Sequence, residues 1–387
     1  MRLKYLCSSF SNSLAQSAVK SEGQYKVYGA SGLVGYLDKY EVAVPYLSIV
    51  KDGAGVGRVR KYESYTSLLS TLAYIVPNEL ANIDWLKYII QSLDLGGDVD
   101  KTTIPHVYFS EYGNREIRYV SLDEQQRIAA FLDDKCARID SIVEKTRASI
   151  VEYKKLKQAI ITRAVTKGIR AAHPMKDSGI EWLGDIPADW EVIKLKYIFS
   201  IIGGNGFPDI LQGNTSGDYP FCKVSDINGE GDYVETASNW VSQSVVDNNR
   251  FNIVPKGSII MAKIGAALTK NHRKINLVNC CIDNNTQALV PKRKDFLRYL
   301  LYLSKCINMS WFDNNSTVPS VNNTKLLNFK VSIPPLDEQK EIAAYLDGKT
   351  AAIDSLIKKK GGLVTELESL KKSLIFEYVT GKKEAPT

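Results

Sequence analysis

The residues able to act as nucleophiles, bases or metal ligands are few and scattered. Histidine occurs three times, at His106, His173 and His272, far apart along the chain. Six cysteines stand at Cys7, Cys136, Cys222, Cys280, Cys281 and Cys306. None forms a CxxC, and the adjacent pair Cys280-Cys281 is not a usual ligand spacing. Free thiols in a reducing compartment are the reading. No zinc or histidine-based catalytic site is expected, and no metal ligands are assigned. Gly348-Lys349-Thr350 imitates the end of a phosphate-binding loop, but Ala343 stands where that loop needs its first glycine. Pro208-Asp209, with Asp218 and Lys223, imitates a nuclease signature whose closing (D/E)xK spacing is missing. Gly53-x-Gly55-x-Gly57 is not GxGxxG, and no helical pattern follows it directly. Its glycines read as a turn. No nucleophile elbow, HExxH, kinase set or Asn-Pro-Pro-aromatic motif occurs. A chain without a catalytic constellation reads as a recognition or assembly component.

The elements that must position such a component show themselves as a repeat. Residues 121–169 open SLDEQQRIAAFLDDKCARIDS, and residues 335–383 open PLDEQKEIAAYLDGKTAAIDS. The two segments align without a gap, with roughly twenty identities in about forty-nine positions. Apolar residues recur at steps of three and four, which is coiled-coil spacing. The first ladder contains Ile128, Leu132, Ile139, Ile142, Tyr153, Leu156 and Ile160. The second contains Ile342, Leu346, Ile353, Leu356, Leu367, Leu370 and Leu374. The spacing predicts helices over about 123–166 and 337–380, packed antiparallel about an approximate two-fold axis. Gly361-Gly362 is expected to bend or weaken the second. The repeat extends upstream of the helices. Lys194-Leu-Lys-Tyr197 matches Arg2-Leu-Lys-Tyr5, and Lys263-Ile-Gly265-Ala266 matches Lys51-Asp-Gly53-Ala54. Extra length in the second copy falls near 228–250. Five segments follow: a mixed domain over 1–122, a helix over 123–169, a connector over 170–193, a second mixed domain over 194–336 and a second helix over 337–387. The fold class is α+β, with two mixed α/β domains, two long antiparallel coiled-coil helices and a pseudo-two-fold internal repeat.

Bulk properties agree with a chain of this kind. At 387 residues it exceeds the ~250–300 at which single cores stop growing. Hydrophobic content of 44% and charged content of 24% are ordinary for a globular protein. The net charge of +7 is spread along the chain, which permits nucleic-acid binding without demanding it. No run of about 18 apolar residues exists, so no membrane span is expected, and no signal peptide is read at the N-terminus.

Ile333-Pro-Pro-Leu-Asp-Glu-Gln339, Ile342-Ala-Ala-Tyr-Leu-Asp347 and Ile353-Asp354 resemble the closing motif of type I restriction–modification specificity subunits. Ser121-Leu-Asp-Glu-Gln125, Ile128-Ala-Ala-Phe-Leu-Asp133 and Ile139-Asp140 repeat it, and Gly179-Ile-Glu-Trp-Leu-Gly184 with Trp190 resembles that family's entry to a second target-recognition domain. The resemblance covers nearly the whole chain. It implies two target-recognition domains, each reading one half of a split DNA sequence, with the helices as spacer. The implied partners are double-stranded DNA, two methyltransferase subunits and, through them, restriction translocase–nuclease subunits in the cytoplasm. S-adenosylmethionine, ATP and Mg would serve those partners, leaving this chain with no cofactor and no catalysis. The chain starts at Met1-Arg2-Leu3, already inside the repeat, so the first domain is expected to be N-terminally short. The alternative is a truncated or orphan adaptor acting mainly in assembly.

Phosphate contacts need lysine and arginine, and base readout needs polar side chains that reach a groove. Lys51, Arg58, Arg60 and Lys61 follow the first glycine turn, and Lys263, Lys270, Asn271, Arg273 and Lys274 are their counterparts. Lys223, Ser225, Asn322 and Asn323 complete the candidate DNA-binding set.

Overall fold

The computed structural model describes residues 1–53, 55–95, 106–170, 173–229, 231–293, 295–314 and 317–386. Ala54 of the first glycine turn lies outside these. Two compact units divide the chain: Met1–Ser149 with Lys359–Thr387, and Ile150–Lys358.

In the first unit, an antiparallel sheet runs in the order Cys7–Ser11, Leu72–Pro77, Tyr46–Val50, Val59–Tyr62. A smaller sheet holds Gly32–Leu37, Tyr25–Gly29 and Ser67–Leu68. The helix Ile83–Ser92 is capped by Asn82, whose side chain accepts from the amides of Asp84 and Trp85 at 3.0 Å each. Its buried face (Trp85, Leu86, Tyr88, Ile89, Ile90) closes the core over Leu47, Ile49 and Ile75.

The second unit repeats that plan. Its large sheet runs Phe199–Gly203, Thr286–Pro291, Ile259–Ala262, Arg273–Asn276, followed by one added strand, Tyr233–Val234. The helix Leu297–Cys306 takes the place of Ile83–Ser92 and is almost wholly buried. A second sheet joins Trp240–Val241, Tyr219–Cys222 and Cys281–Ile282. The connector forms a hairpin, Met175–Asp177 with Asp185–Pro187, and adds Glu191–Lys194 to Lys330–Ile333. Trp190 is buried in the core with Phe199, Tyr299 and Tyr302.

The long helices span Leu122–Lys167 and Leu336–Val379, 46 and 44 residues. Both units show them antiparallel. In the first, Lys371 pairs with Asp140 (2.6 Å) and Arg147 with Glu368 (2.6 Å). In the second, Lys157 pairs with Asp354 (2.6 Å), and Arg170, just past the helix, with Glu341 (2.8 Å). Ile139 and Val143 pack on Val364 in the first unit, and Ile161 and Val165 join Ile342 and Leu346 in the core of the second. Gly168 ends the first long helix in the left-handed region, φ +74°.

A shared device locks each sheet domain to its helix. Gln125 Oε1 accepts from the amide of Asn82 (2.7 Å), and its Nε2 donates to the carbonyls of Leu80 and Val120 (3.0 Å each). Gln339 Oε1 accepts from the amide of Phe296 (2.8 Å), while its Nε2 donates to Asp295 and to the carbonyl of Pro334. Both glutamines are buried. They supply hydrogen-bond partners at the loop entering the shorter helix, groups that burial would otherwise leave unpaired.

The structure bears on two expectations about the helices. The second helix runs unbroken through Gly361-Gly362, with open space where a Cβ would stand on either. The neighbouring turns hold the backbone helical without glycine's freedom. Gly361→Ala with Gly362→Ala is expected to raise stability by about 1–2 kcal/mol, read as a higher urea midpoint. The apolar ladder also divides. Ile128, Leu132, Ile139, Ile342, Leu346 and Ile353 are buried, and Tyr153, Ile160, Leu367 and Leu374 are half-buried. Ile142, Leu156, Leu356 and Leu370 are instead exposed, at 47%, 48%, 41% and 53%. One antiparallel partner offers a single seam, and these four lie off it. Val143, Ile161, Val364 and Ile375 are buried where they are not.

Candidate nucleic-acid interface

In the first unit the strands Tyr46–Val50 and Val59–Tyr62 form a hairpin, with Ser48 opposite Arg60. Its tip holds Gly53, Gly55 and Gly57 at φ +81°, +88° and +80°. A side chain is strained in that region, so glycine shapes the tip. Lys51 leaves one strand half-buried, and Arg58 is exposed at the start of the other. Arg58 Nη1 reaches the carbonyl of Ala30 at only 3.4 Å. Arg60 is half-buried on the edge strand. Lys51, Arg58 and Arg60 are therefore brought to one hairpin. Lys61 points elsewhere, donating to both carboxylate oxygens of Asp84 at 3.0 and 2.9 Å.

In the second unit Lys263 occupies the position of Lys51, just past the equivalent strand. Its backbone is fixed twice, as the amide donates to the carbonyl of Asn285 (2.7 Å) and the carbonyl accepts from the amide of Val321 (3.1 Å). The amide of Asp283 donates to the carbonyl of Cys222 (3.1 Å), next to Lys223. The turn 283–286 thus gathers Lys223, Lys263 and the segment bearing Asn322 and Asn323. Lys223 Nζ donates to Gln212 Oε1 (2.7 Å) and lies over the Phe207 ring. Ser225 is exposed in the short helix that follows. Asn322 caps its own helix through the amide of Lys325 (3.0 Å), and Asn323 Oδ1 is buried without a hydrogen-bond partner. Lys270 is exposed at the end of a short helix, and Asn271 follows it at φ +52°.

Arg273 and Lys274 are corrected: both are buried, at 3% and 6% exposure. The extra length of the second copy adds the strand Tyr233–Val234, which pairs with Ile275 and Asn276 in the same strand, and Arg273 itself reaches the carbonyl of Ile307 just past the helix Leu297–Cys306. The added strand turns a sheet edge into an interior position, whereas Arg60, opposite Ser48 on the corresponding strand, remains at the edge. Arg273 serves as an internal tie. It donates to the carbonyls of His272 (3.0 Å) and Ile307 (3.2 Å) and to Asn271 Oδ1 (2.7 Å). Burial holds its pKa down to about 9. Arg273→Met is expected to cost about 2–4 kcal/mol by leaving these acceptors unpaired. Urea unfolding would report that loss, with DNA affinity unchanged under folding conditions.

The basic-residue reading missed Asp283 and Gln287. Gln287 is fully buried in the strand Thr286–Pro291, with neither amide atom hydrogen-bonded, and Asp283 Oδ1 is likewise buried without a partner. Burial raises the Asp283 carboxyl above its ordinary range, with Lys223 pulling the other way. The signal in sequence was the polar run Asp283-Asn-Asn-Thr-Gln287 between two apolar strands. Among the described residues no helix is long and apolar enough to cross a membrane.

Comparison with known proteins adds a family. The model of the type I restriction modification DNA specificity domain matches residues 187–363. The chain is 27% identical over 298 residues to the type I restriction enzyme MjaVIII specificity subunit of Methanocaldococcus jannaschii, covering 73% of this chain. It is 25% identical over 309 residues to the putative MjaX specificity subunit of the same organism, covering 78% of this chain. Each match spans 65% of the archaeal relative's length. The type I restriction enzyme EcoDI specificity subunit of Escherichia coli is 20% identical, over 96% of this chain and 85% of that one. A solved chain from work on complex assembly and conformational transition of the type I R-M system shares the fold, with a TM-score of 0.69 at 16% identity. That match covers 99% of this chain and 97% of the other.

Proposed function

We propose, from the premise that this chain belongs to the type I restriction–modification specificity family, that it recognises a bipartite sequence in double-stranded DNA and scaffolds methyltransferase subunits. One observation carries the reading. The same strand order occurs in both units, and in each a lysine, Lys51 or Lys263, leaves the same strand toward a polar loop. A duplicated reading platform suits a target with two unlike halves, because each copy is free to diverge in its loops. We assign the two target-recognition domains to 1–122 and 194–336, the connector to 170–193, and the spacer helices to 123–169 and 337–387.

The basic residues supply phosphate contacts that set register, and the polar loops supply base contacts. We assign methyl transfer, ATP hydrolysis and cleavage to partner subunits in the cytoplasm, two methyltransferases docking here and restriction subunits joining through them. S-adenosylmethionine, ATP and Mg belong to those partners. The test is selection from a random duplex pool by the chain co-purified with its methyltransferase, followed by a gel shift. A two-part motif is expected. Absence of any sequence preference in the assembled complex would sink the reading and leave an assembly adaptor.

A further inference from the structure

Where the connector meets the start of the second long helix, the second unit holds a buried carboxylate that makes no ion pair with a lysine or arginine among the described residues. Glu338 stands in the first turn of that helix and is 3% exposed. Its Oε2 accepts from Trp190 Nε1 at 3.0 Å, while Oε1 has no hydrogen-bond partner. The His173 ring faces it, largely buried, with Nε2 at 3.8 Å from that Oε1. On the other side of the ring, Nδ1 lies 3.6 Å from Asp189 Oδ1 and is also without a hydrogen-bond partner. These separations are too long for hydrogen bonds. The two distances run to opposite nitrogens of the ring, and one ion takes only one of them; two ligands of one tetrahedral ion with bonds near 2.0–2.2 Å stand roughly 3.3–3.6 Å apart. One ligand atom from each of His173, Asp189 and Glu338 can be chosen so that all lie within 4.8 Å of one another.

The internal repeat supplies an independent comparison. Glu124 is the residue equivalent to Glu338, and Arg118 neutralises it at 3.2 Å. The position equivalent to Arg118 is Ser332, whose buried Oγ has no hydrogen-bond partner. The cation present in the first unit is therefore missing by substitution in the second. Arg170 gives its hydrogen bond to Glu341, so only its charge reaches Glu338 and Asp189. Gly168 permits the close approach, since a Cβ there would stand 3.1 Å from Glu338 Oε1.

We propose that His173, Asp189 and Glu338 bind one divalent transition-metal ion, pinning the connector to the second long helix. An imidazole nitrogen with two carboxylate oxygens is a ligand set suited to zinc, with water completing the coordination. Both connector ligands lie in 170–193, and the third opens the helix, so the ion adds a second tie between connector and helix beside the Trp190–Glu338 hydrogen bond. Its role is structural. It is independent of DNA reading.

The probe is the full chain, purified without a histidine tag, stripped with EDTA and titrated with Zn²⁺ and with Co²⁺. One ion per chain is expected, with a rise in melting temperature on Zn²⁺ that EDTA reverses. Co²⁺ should give visible d–d bands without the near-ultraviolet thiolate band that cysteine ligation produces. Asp189→Asn changes a half-exposed side chain and His173→Ala removes a single ring of the connector, and both variants should stay folded by circular dichroism. Each is expected to weaken binding by roughly a hundredfold or more, at least the loss seen when a ligand's supporting partner is removed. No bound ion at micromolar Zn²⁺, unchanged binding in both variants, or a thiolate band would each overturn the site.

Discussion

A chain carrying Lys51→Gln, Arg58→Gln and Arg60→Gln, assembled with its methyltransferase, is expected to bind its DNA target about a hundredfold more weakly. The salt dependence should change with it. Each phosphate contact releases condensed counter-ions, so losing three lowers the slope of log K against log salt by about 2.7. Both effects follow from one hairpin. Its three glycines at positive φ let the tip turn sharply, which carries Lys51 and Arg58 out from adjacent strands beside Arg60. Lys61 is the internal control. It sits one residue further on, but Asp84 holds it with two hydrogen bonds at 3.0 and 2.9 Å. Lys61→Gln should therefore leave the slope nearly unchanged. Affinity measured at several salt concentrations decides the matter. A triple variant that keeps the full slope would show that this hairpin does not face the phosphates.

What the sequence made legible was set by local and repeated signals. The gap-free repeat put both long helices in place, and Leu122 and Leu336, equivalent residues in the two copies, open them. The same motif exposed Gln125 and Gln339 as a pattern without giving their role. That role is to bond a backbone amide 43 residues away, a contact that only the packed domain creates. Arg273 and Lys274 read as a basic hairpin because charge is a local property. Their burial is decided by distant parts of the chain, among them the inserted strand on Ile275 and Asn276 and the Ile307 carbonyl that Arg273 reaches. The metal-site residues are farther still from legibility. His173, Asp189 and Glu338 share no spacing rule, and folding of the connector brings them together. Helical periodicity, finally, marks which residues are apolar. It cannot say which of two apolar rows meets the partner helix, and so Ile142, Leu156, Leu356 and Leu370 were read as core.

Those four residues give the second large expected effect. By the register of the repeat, Ile142 is equivalent to Leu356 and Leu156 to Leu370. The antiparallel pairing then sorts them by unit. Ile142 and Leu370 flank the Asp140–Lys371 ion pair in the first unit, and Leu156 and Leu356 flank Lys157–Asp354 in the second. Each unit thus presents one of these pairs, alike in make, beside an ion pair between the helices. Such side chains contribute little to the fold where they stand, and paired apolar exposure marks a contact surface. Two identical methyltransferase copies would each take one pair. Ile142→Asp with Leu370→Asp should leave stability within about 1 kcal/mol, as surface substitutions do. The same variant should cost one docking site at least ~3 kcal/mol, the scale of an interface hot spot. The expected readout is stoichiometry. Size-exclusion chromatography with light scattering should show two methyltransferases on the native chain and one on this variant. It should show one again on Leu156→Asp with Leu356→Asp, and none on the fourfold variant. Two copies retained on the fourfold variant would place the dock on another face. Loss of both copies from a single-pair variant would mean that the two sites are coupled and not independent.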